Sequence, residues 1–540
     1  LFNDPARWTH VSGGGNTTPP PGAGDSANFD VPGAYEVTFK TVASPFAPSF
    51  LGVSDGNVTF ASDGVSSATY IVTGGGSGGD ASLLGGELTL DGLDLQVADR
   101  LSTQGNSTLN IQNGSHVIAH ELFLGGFFGD GFVNVIGSPS SLSVTGSVTH
   151  SLGNNKNPLL HFSGGSMGNL AGTIALGTSN DVTKTATLTV DSGSKLDTGS
   201  IIAGGVGNTA VINVSGNNSS LTQGGVSTLV LGGATGSAML NVNSGGTFAT
   251  GTGAVTFGDS ATIDISDGTL NAHGAITLAA GTTLTLNGGA LNANAGLDNS
   301  AGGNLSFLDG TLTVNGGEFV PNAGGEVLID GPTLSELPHL KLDAGTDATF
   351  GGSVPLSIGK FNRGELTIAG GSMVSNSLGS IAGNTTSAEG TVTVTGTDGM
   401  GNASTWNSIG ILSVGGSGTG TLRIENGGNV ISHRGQLGAS ASGTGTVFVT
   451  GAGSSWTNLF GNLYVGGSVI TGEGGVGSLT IEDQGLVYVN EVLRIFGDSE
   501  VTINGGTIAF ETLQIEPGGS LAFNFGTINY LSDLSISSGD

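Results

Sequence analysis

The chain has no cysteine, which excludes a disulfide framework and a thiolate metal site. It is nearly as poor in positive charge, with 12 Lys+Arg against 41 Asp+Glu and a formal net charge of -29. A nucleic-acid partner needs a basic footprint, and none is present. An anionic membrane surface is disfavoured for the same reason. No apolar run reaches the roughly 18 residues of a membrane-crossing helix, so no helical span is expected. Proline is scarce, at 14 residues, so the 102 glycines do not belong to a collagen repeat. Nor does any stretch sustain an i, i+3, i+4 apolar spacing, so almost no helix is expected. Only 10% of residues are charged, which leaves Ser, Thr, Asn and Gly to make most of the surface.

What is present is one short unit used over and over. In Gly420-Thr421-Leu422-Arg423-Ile424-Glu425-Asn426-Gly427-Gly428, Leu422 and Ile424 alternate with polar neighbours and point to one face of a strand. Asn426-Gly427 then tolerates positive φ, and the chain corners. Equivalent apolar pairs run from Val58/Phe60, Leu88/Leu90 and Leu109/Ile111 to Leu479/Ile481, Val501/Ile503 and Leu521/Phe523, about nineteen in all. Val58 and Leu521 are 463 residues and eighteen steps apart, a mean of about 26 residues per step. Many units carry a second strand, such as Glu121–Gly126, Ile411–Gly416 and Asn462–Gly467, and a weaker apolar position between, as at Val117, Leu196, Leu221, Phe248 and Val430. Three short strands per repeat, each ended by glycine, describe a coil that closes as a triangle. One coil cannot bury its apolar face, but stacked coils can. The expectation is an all-β fold, a parallel β-solenoid of about nineteen coils. At ~4.8 Å per coil it would be roughly 90 Å long.

Residues 1–50 differ in composition, and Trp8, the Pro-rich run after Thr17 and the strand Tyr35–Phe39 stand outside the repeat. They are expected to form an N-terminal cap over a solenoid spanning 51–540. The start at Leu1, without Met or a signal peptide, suggests a processed or partial chain. Residues 390–443 and 445–498 read as one double-coil repeat used twice, with Trp406 and Trp456 at matching places. A degenerate copy near Ile212–Val242 has Leu221 where the later copies have Trp. The pattern Val447-Phe448-Val449-Thr450-Gly451-Ala452-Gly453-Ser454-Ser455-Trp456-Thr457-Asn458, then Leu463-Tyr464-Val465-Gly466-Gly467, then Gly477-Ser478-Leu479-Thr480-Ile481-Glu482, resembles the repeats of type V autotransporter passengers and of PEP-CTERM-associated surface proteins. The opening Pro20–Phe29 resembles the N-terminal end of such proteins. The likeness covers about 387–506 and 8–40. It implies a secreted, right-handed parallel β-helix at a bacterial surface.

Polysaccharide-cleaving enzymes also use this fold, and they need carboxylates brought together. The densest acidic group is Asp91, Asp94 and Asp99 with Arg100, which reads more simply as strand edges and turns. His116 and His120 beside Glu121 have a metal-like spacing only on a helix, and this stretch reads as strand and corner. Gly474-Gly475-Val476-Gly477-Ser478 lacks the aspartate of a calcium-binding nonapeptide, and Gly74–Gly79 is a long corner with no helix after it. Asn-X-Ser/Thr occurs ten times, including Asn57, Asn106, Asn213 and Asn384, as turn chemistry alone would give. The coil spacing runs only from about 20 to 32 residues, so no long loops build a cleft. These features point to a non-catalytic extracellular structural protein, a fibre subunit or adhesin stalk, with no cofactor, metal or catalytic residue assigned. The expected partners are a second copy, head-to-tail, and surface polysaccharide. A polysaccharide lyase or hydrolase is the alternative, and a carbohydrate-binding adhesin a third.

Overall fold

The computed structural model describes residues 25–39, 48–62, 68–73, 79–126, 129–150, 157–177, 183–205, 207–233, 235–321, 325–350, 353–530 and 536–538. Among these residues there is no helix, and the chain is a parallel β-solenoid of about 18 turns. It divides into two compact units. The first runs to Gly274 and takes in Leu278–Leu284; the second is Ala275–Thr277 and the chain from Thr285 on.

In the first unit each coil supplies one strand to each of three ladders. The first ladder begins with Ala34–Phe39 and Asn57–Ser62 and reaches Ala261–Ser266. The second begins with Ala68–Val72 and Leu93–Val97 and reaches Thr269–Ala272. The third begins with Ser26–Phe29 and Phe50–Val53 and reaches Val255–Phe257. The second unit repeats the scheme. Its first ladder includes Pro338–Asp343, Arg363–Ile368 and Glu389–Thr395 and ends in Ser520–Tyr530. Its second and third ladders run as separate strands, Asp347–Thr349 to Met373–Asn376 and Val327–Ile329 through Leu356–Ile358 to Gly379–Ile381. They then join into the single bent strand Thr405–Val414, whose register shifts between Ser408 and Ile411.

Period-2 alternation decides what faces inward. Leu88, Leu109 and Val133 stand in register, as do Leu366, Val392, Leu422 and Val447. Every apolar pair of the repeat is buried except the last, Leu521/Phe523, where Phe523 is 50% exposed. The weaker positions Val117, Leu196, Leu221, Phe248 and Val430 are the buried residues of the second ladder.

One expectation needs correction. Tyr35–Phe39 stands inside the repeat: Tyr35 pairs with Val58, Val37 with Phe60 and Phe39 with Ser62. Its place is set by pairing with the next coil, which the local sequence does not reveal. Residues 1–24 and 40–47 of the expected cap, with Trp8, lie outside the described residues.

The corner after the first ladder is built twice over. Asn113-Gly114 and Asn426-Gly427 have positive φ at both positions (53° and 81°, 52° and 87°), a primed turn that only such residues enter cheaply. The turn is closed by Ser115 N–H to the Gln112 carbonyl in one case and Gly428 N–H to that of Glu425 in the other. A fully buried hydroxyl of the next coil then receives an N–H of the turn. Gly114 donates to Ser140, Gly193 to Ser219, Gly316 to Thr346, Gly371 to Ser404 and Gly427 to Ser454, at 2.9–3.0 Å.

Candidate functional site

The acidic group of the first unit does not converge. Asp91 ends a first-ladder strand and accepts from the Asn113 amide of the next coil. Asp94 lies on the second ladder and accepts the His116 N–H at 3.0 Å. Asp99 sits at the corner before the third ladder, where its carbonyl takes the N–H groups of His120 and Glu121. Arg100 reaches Glu121 at 3.4 Å and lies 4.5 Å from the centre of the Phe123 ring. The chain passes two corners in these ten residues, so the carboxylates fall on different faces.

His116 and His120 are separated in the same way. Their Nδ1 atoms hydrogen-bond Ser141 at 2.7 Å and Thr145 at 3.0 Å, both one coil on. Among the described residues no three His, Asp or Glu side chains are placed to hold a metal ion. Gly477-Ser478 belongs to the first-ladder strand Val476–Glu482. Of the run Gly74–Gly79, residues 74–78 lie outside the described residues. Asn213 is taken up in an amide ladder, donating to Thr189 and accepting from Asn241, whereas Asn57 and Asn106 are exposed.

Trp406 and Trp456 occupy one column of the second ladder two coils apart, with Val430 between. Both are completely buried, so neither is a surface platform. Each indole leans back over the preceding coil, into a slot kept open by a glycine. A Cβ on Gly379 would lie 2.8 Å from the Trp406 ring, and one on Gly435 2.6 Å from the Trp456 ring. Below them runs a buried polar column, Asn376, Ser408, Ser432 and Asn458. Trp406 Nε1 donates to Asn376 Oδ1 at 2.7 Å, and Trp456 Nε1 to Ser432 Oγ at 3.1 Å. Ser432 in turn donates to Asn458 Oδ1 at 2.9 Å. A buried indole N–H needs such a partner.

Burial displaces the titration of several groups, Tyr70 upward among them. His150 is wholly buried on the third ladder beside Leu124, and loss of hydration lowers its pKa to about 3. Burial raises Asp330, against the pull of the Phe361 and Asn362 N–H groups it accepts at 3.0 and 2.9 Å. Asp330 ties one coil to the next, and His150 packs in the interior of the ladder. Lys360–Glu326 (2.6 Å), Arg363–Glu389 (3.0 Å) and Arg494–Glu516 (2.6 Å) likewise tie coil to coil.

Sequence reasoning missed the corner hydroxyls and the glycine slots. The recurring Ser or Thr just after the corner glycine was a usable signal for the first. The chain matches no family model, no curated protein and no solved structure. Among the described residues no helix is long and apolar enough to cross a membrane.

Proposed function

We propose that this chain is a non-catalytic extracellular structural protein, the body of a surface fibre or the stalk of an adhesin, whose copies associate head-to-tail. The observation that carries this reading is that the polar groups that looked most reactive are spent on coil-to-coil bonds, while the ladders run on in register. A surface rich in Ser, Thr and Asn suits exposure outside a cell, and the resemblance of 387–506 to secreted passenger repeats supports that location. Head-to-tail contact is the stacking that continues this architecture from copy to copy, and Phe523 and Phe525 of Ser520–Tyr530, both exposed, are side chains that a second copy's coil would meet. Microscopy and sedimentation of the purified chain test this. Filaments lengthening with concentration, and lost in Phe523→Lys/Phe525→Lys, are expected; monomers at every concentration would remove the head-to-tail part. Antibody labelling of intact cells tests the location.

A further inference from the structure

In the second unit the corner between the second and third ladders forms one continuous edge. Coil is bonded to coil along it: Gly410 N–H donates to the Ser377 carbonyl, Leu459 N–H to that of Ser432, Asn490 N–H to that of Asn458 and Glu511 N–H to that of Glu491. The edge holds large apolar side chains in the open. Leu378, Ile409, Leu459 and Phe460 are 47%, 54%, 43% and 63% exposed. The Phe460 ring is held in place by the His433 ring, edge-on with centres 5.4 Å apart. Apolar side chains exposed singly need no explanation, but a strip of them along one edge marks an interaction site.

The charges beside Phe460 indicate what meets it. Gly435, Leu463 and Leu493 stand in register, so Arg434 lies one coil before Phe460 and Glu491 one coil after it. The Arg434 stem lies across Gly461, where a Cβ would be 2.8 Å from it. The other Lys and Arg residues of the second unit all have partners. Lys341, Lys360, Arg363 and Arg494 reach carboxylates, and Arg423 lies 4.6 Å from the centre of the Phe448 ring. Among the described residues Arg434 has neither kind of partner, and the exposed Glu491 has no cation.

We propose that this edge pairs with the same edge of a second copy, side by side and antiparallel, about a two-fold axis at Phe460. Coils repeat at ~4.8 Å in both copies. With Phe460 against its counterpart, Arg434 of each copy therefore faces Glu491 of the other, and one pattern serves both copies, as a two-fold contact requires. Shifting the register by one coil sets Arg434 on Arg434 or Glu491 on Glu491. Parallel pairing does both. Like charges so placed disfavour these arrangements. A strip one corner wide is smaller than the ~800 Å² per partner of a standard interface, so the pairing is weak. The net charge of -29 repels a second copy at long range, but at about 0.15 M salt this is screened beyond ~8 Å, while charges in contact are screened less. The contact goes beyond head-to-tail association and uses a different surface, so the two fail separately.

The test is sedimentation equilibrium of the full chain carrying Phe523→Lys/Phe525→Lys, which removes the head-to-tail contact, in about 0.15 M salt. A monomer–dimer equilibrium with Kd on the order of 100 µM is expected. Phe460→Ser, Arg434→Glu and Glu491→Arg should each weaken it about tenfold or more. Arg434→Glu/Glu491→Arg together should restore it, because each reversed charge again meets its opposite. Met400→Ser, at an 87% exposed side chain of a different corner, should leave it unchanged. Circular dichroism checks that the variants fold. Monomers alone at about 1 mM, well above the expected Kd, would overturn the proposal and leave the edge to a partner of another kind. Dimers that persist in Phe460→Ser, or a double reversal no tighter than either single one, would overturn it as well.

Discussion

His150 gives the sharpest test of how the interior is built. It is neutral in the folded chain because burial holds its pKa near 3, whereas in an unfolded chain it titrates near 6.5. Between those values the unfolded state binds more protons than the folded one, so stability falls as pH drops from about 6.5 towards 3. The full span of roughly 3.5 units corresponds to about 5 kcal/mol, and the step from pH 7 to 5 to about 2 kcal/mol. Because each coil rests only on its neighbours, the loss should be local. Amide exchange corrected for its intrinsic pH dependence is the assay. Protection of Glu121–Leu124 and Val148–His150 should fall by about thirtyfold between pH 7 and 5, the factor that ~2 kcal/mol implies. Glu389–Thr395 should change little. In His150→Leu, which keeps His161 and its contact with Asp191, the extra loss should vanish. An unchanged pH slope in that variant would refute the argument that burial of this imidazole is responsible.

The remaining predictions concern packing. Gly435→Ala should cost about 1–3 kcal/mol by overpacking Trp456 and Leu463, and less in a Trp456→Leu background, where only the Leu463 contact remains; equal costs in chemical denaturation of the two backgrounds would show that the indole does not fill the slot. Ser454→Ala should cost about 1–3 kcal/mol by leaving the buried Gly427 N–H without its acceptor, read as faster exchange at that amide. Ile265→Asp should cost several kcal/mol and open Ser237–Asn243 and Ala261–Ser266 while leaving Asn57–Ser62 protected; uniform loss of protection would argue against nearest-neighbour stability.

The sequence alone determined the three-ladder coil, because alternation with period 2 fixes which side chains face inward and Asn-Gly fixes where the chain can corner. Leu422 and Ile424 could be placed without knowing anything of the rest of the fold. It also marked Trp406 and Trp456 as equivalent, since the motif around them is repeated. What it could not supply is which residue stands over which. Coil lengths vary, so the residue that accepts the Trp406 indole N–H is Asn376, 30 positions back, while the one that accepts from Trp456 is Ser432, 24 back. The glycine slots follow from the same uneven spacing, as does the corner chain from Gly114 to Ser140 and from Gly371 to Ser404. Tyr35–Phe39 failed to read as a repeat because membership is conferred by pairing with Asn57–Ser62, a non-local contact. Asp91, Asp94 and Asp99 looked like a cluster because they are neighbours along the chain. Only the tertiary structure decided that two corners part them, since the chain here turns after strands of 5, 5 and 4 residues.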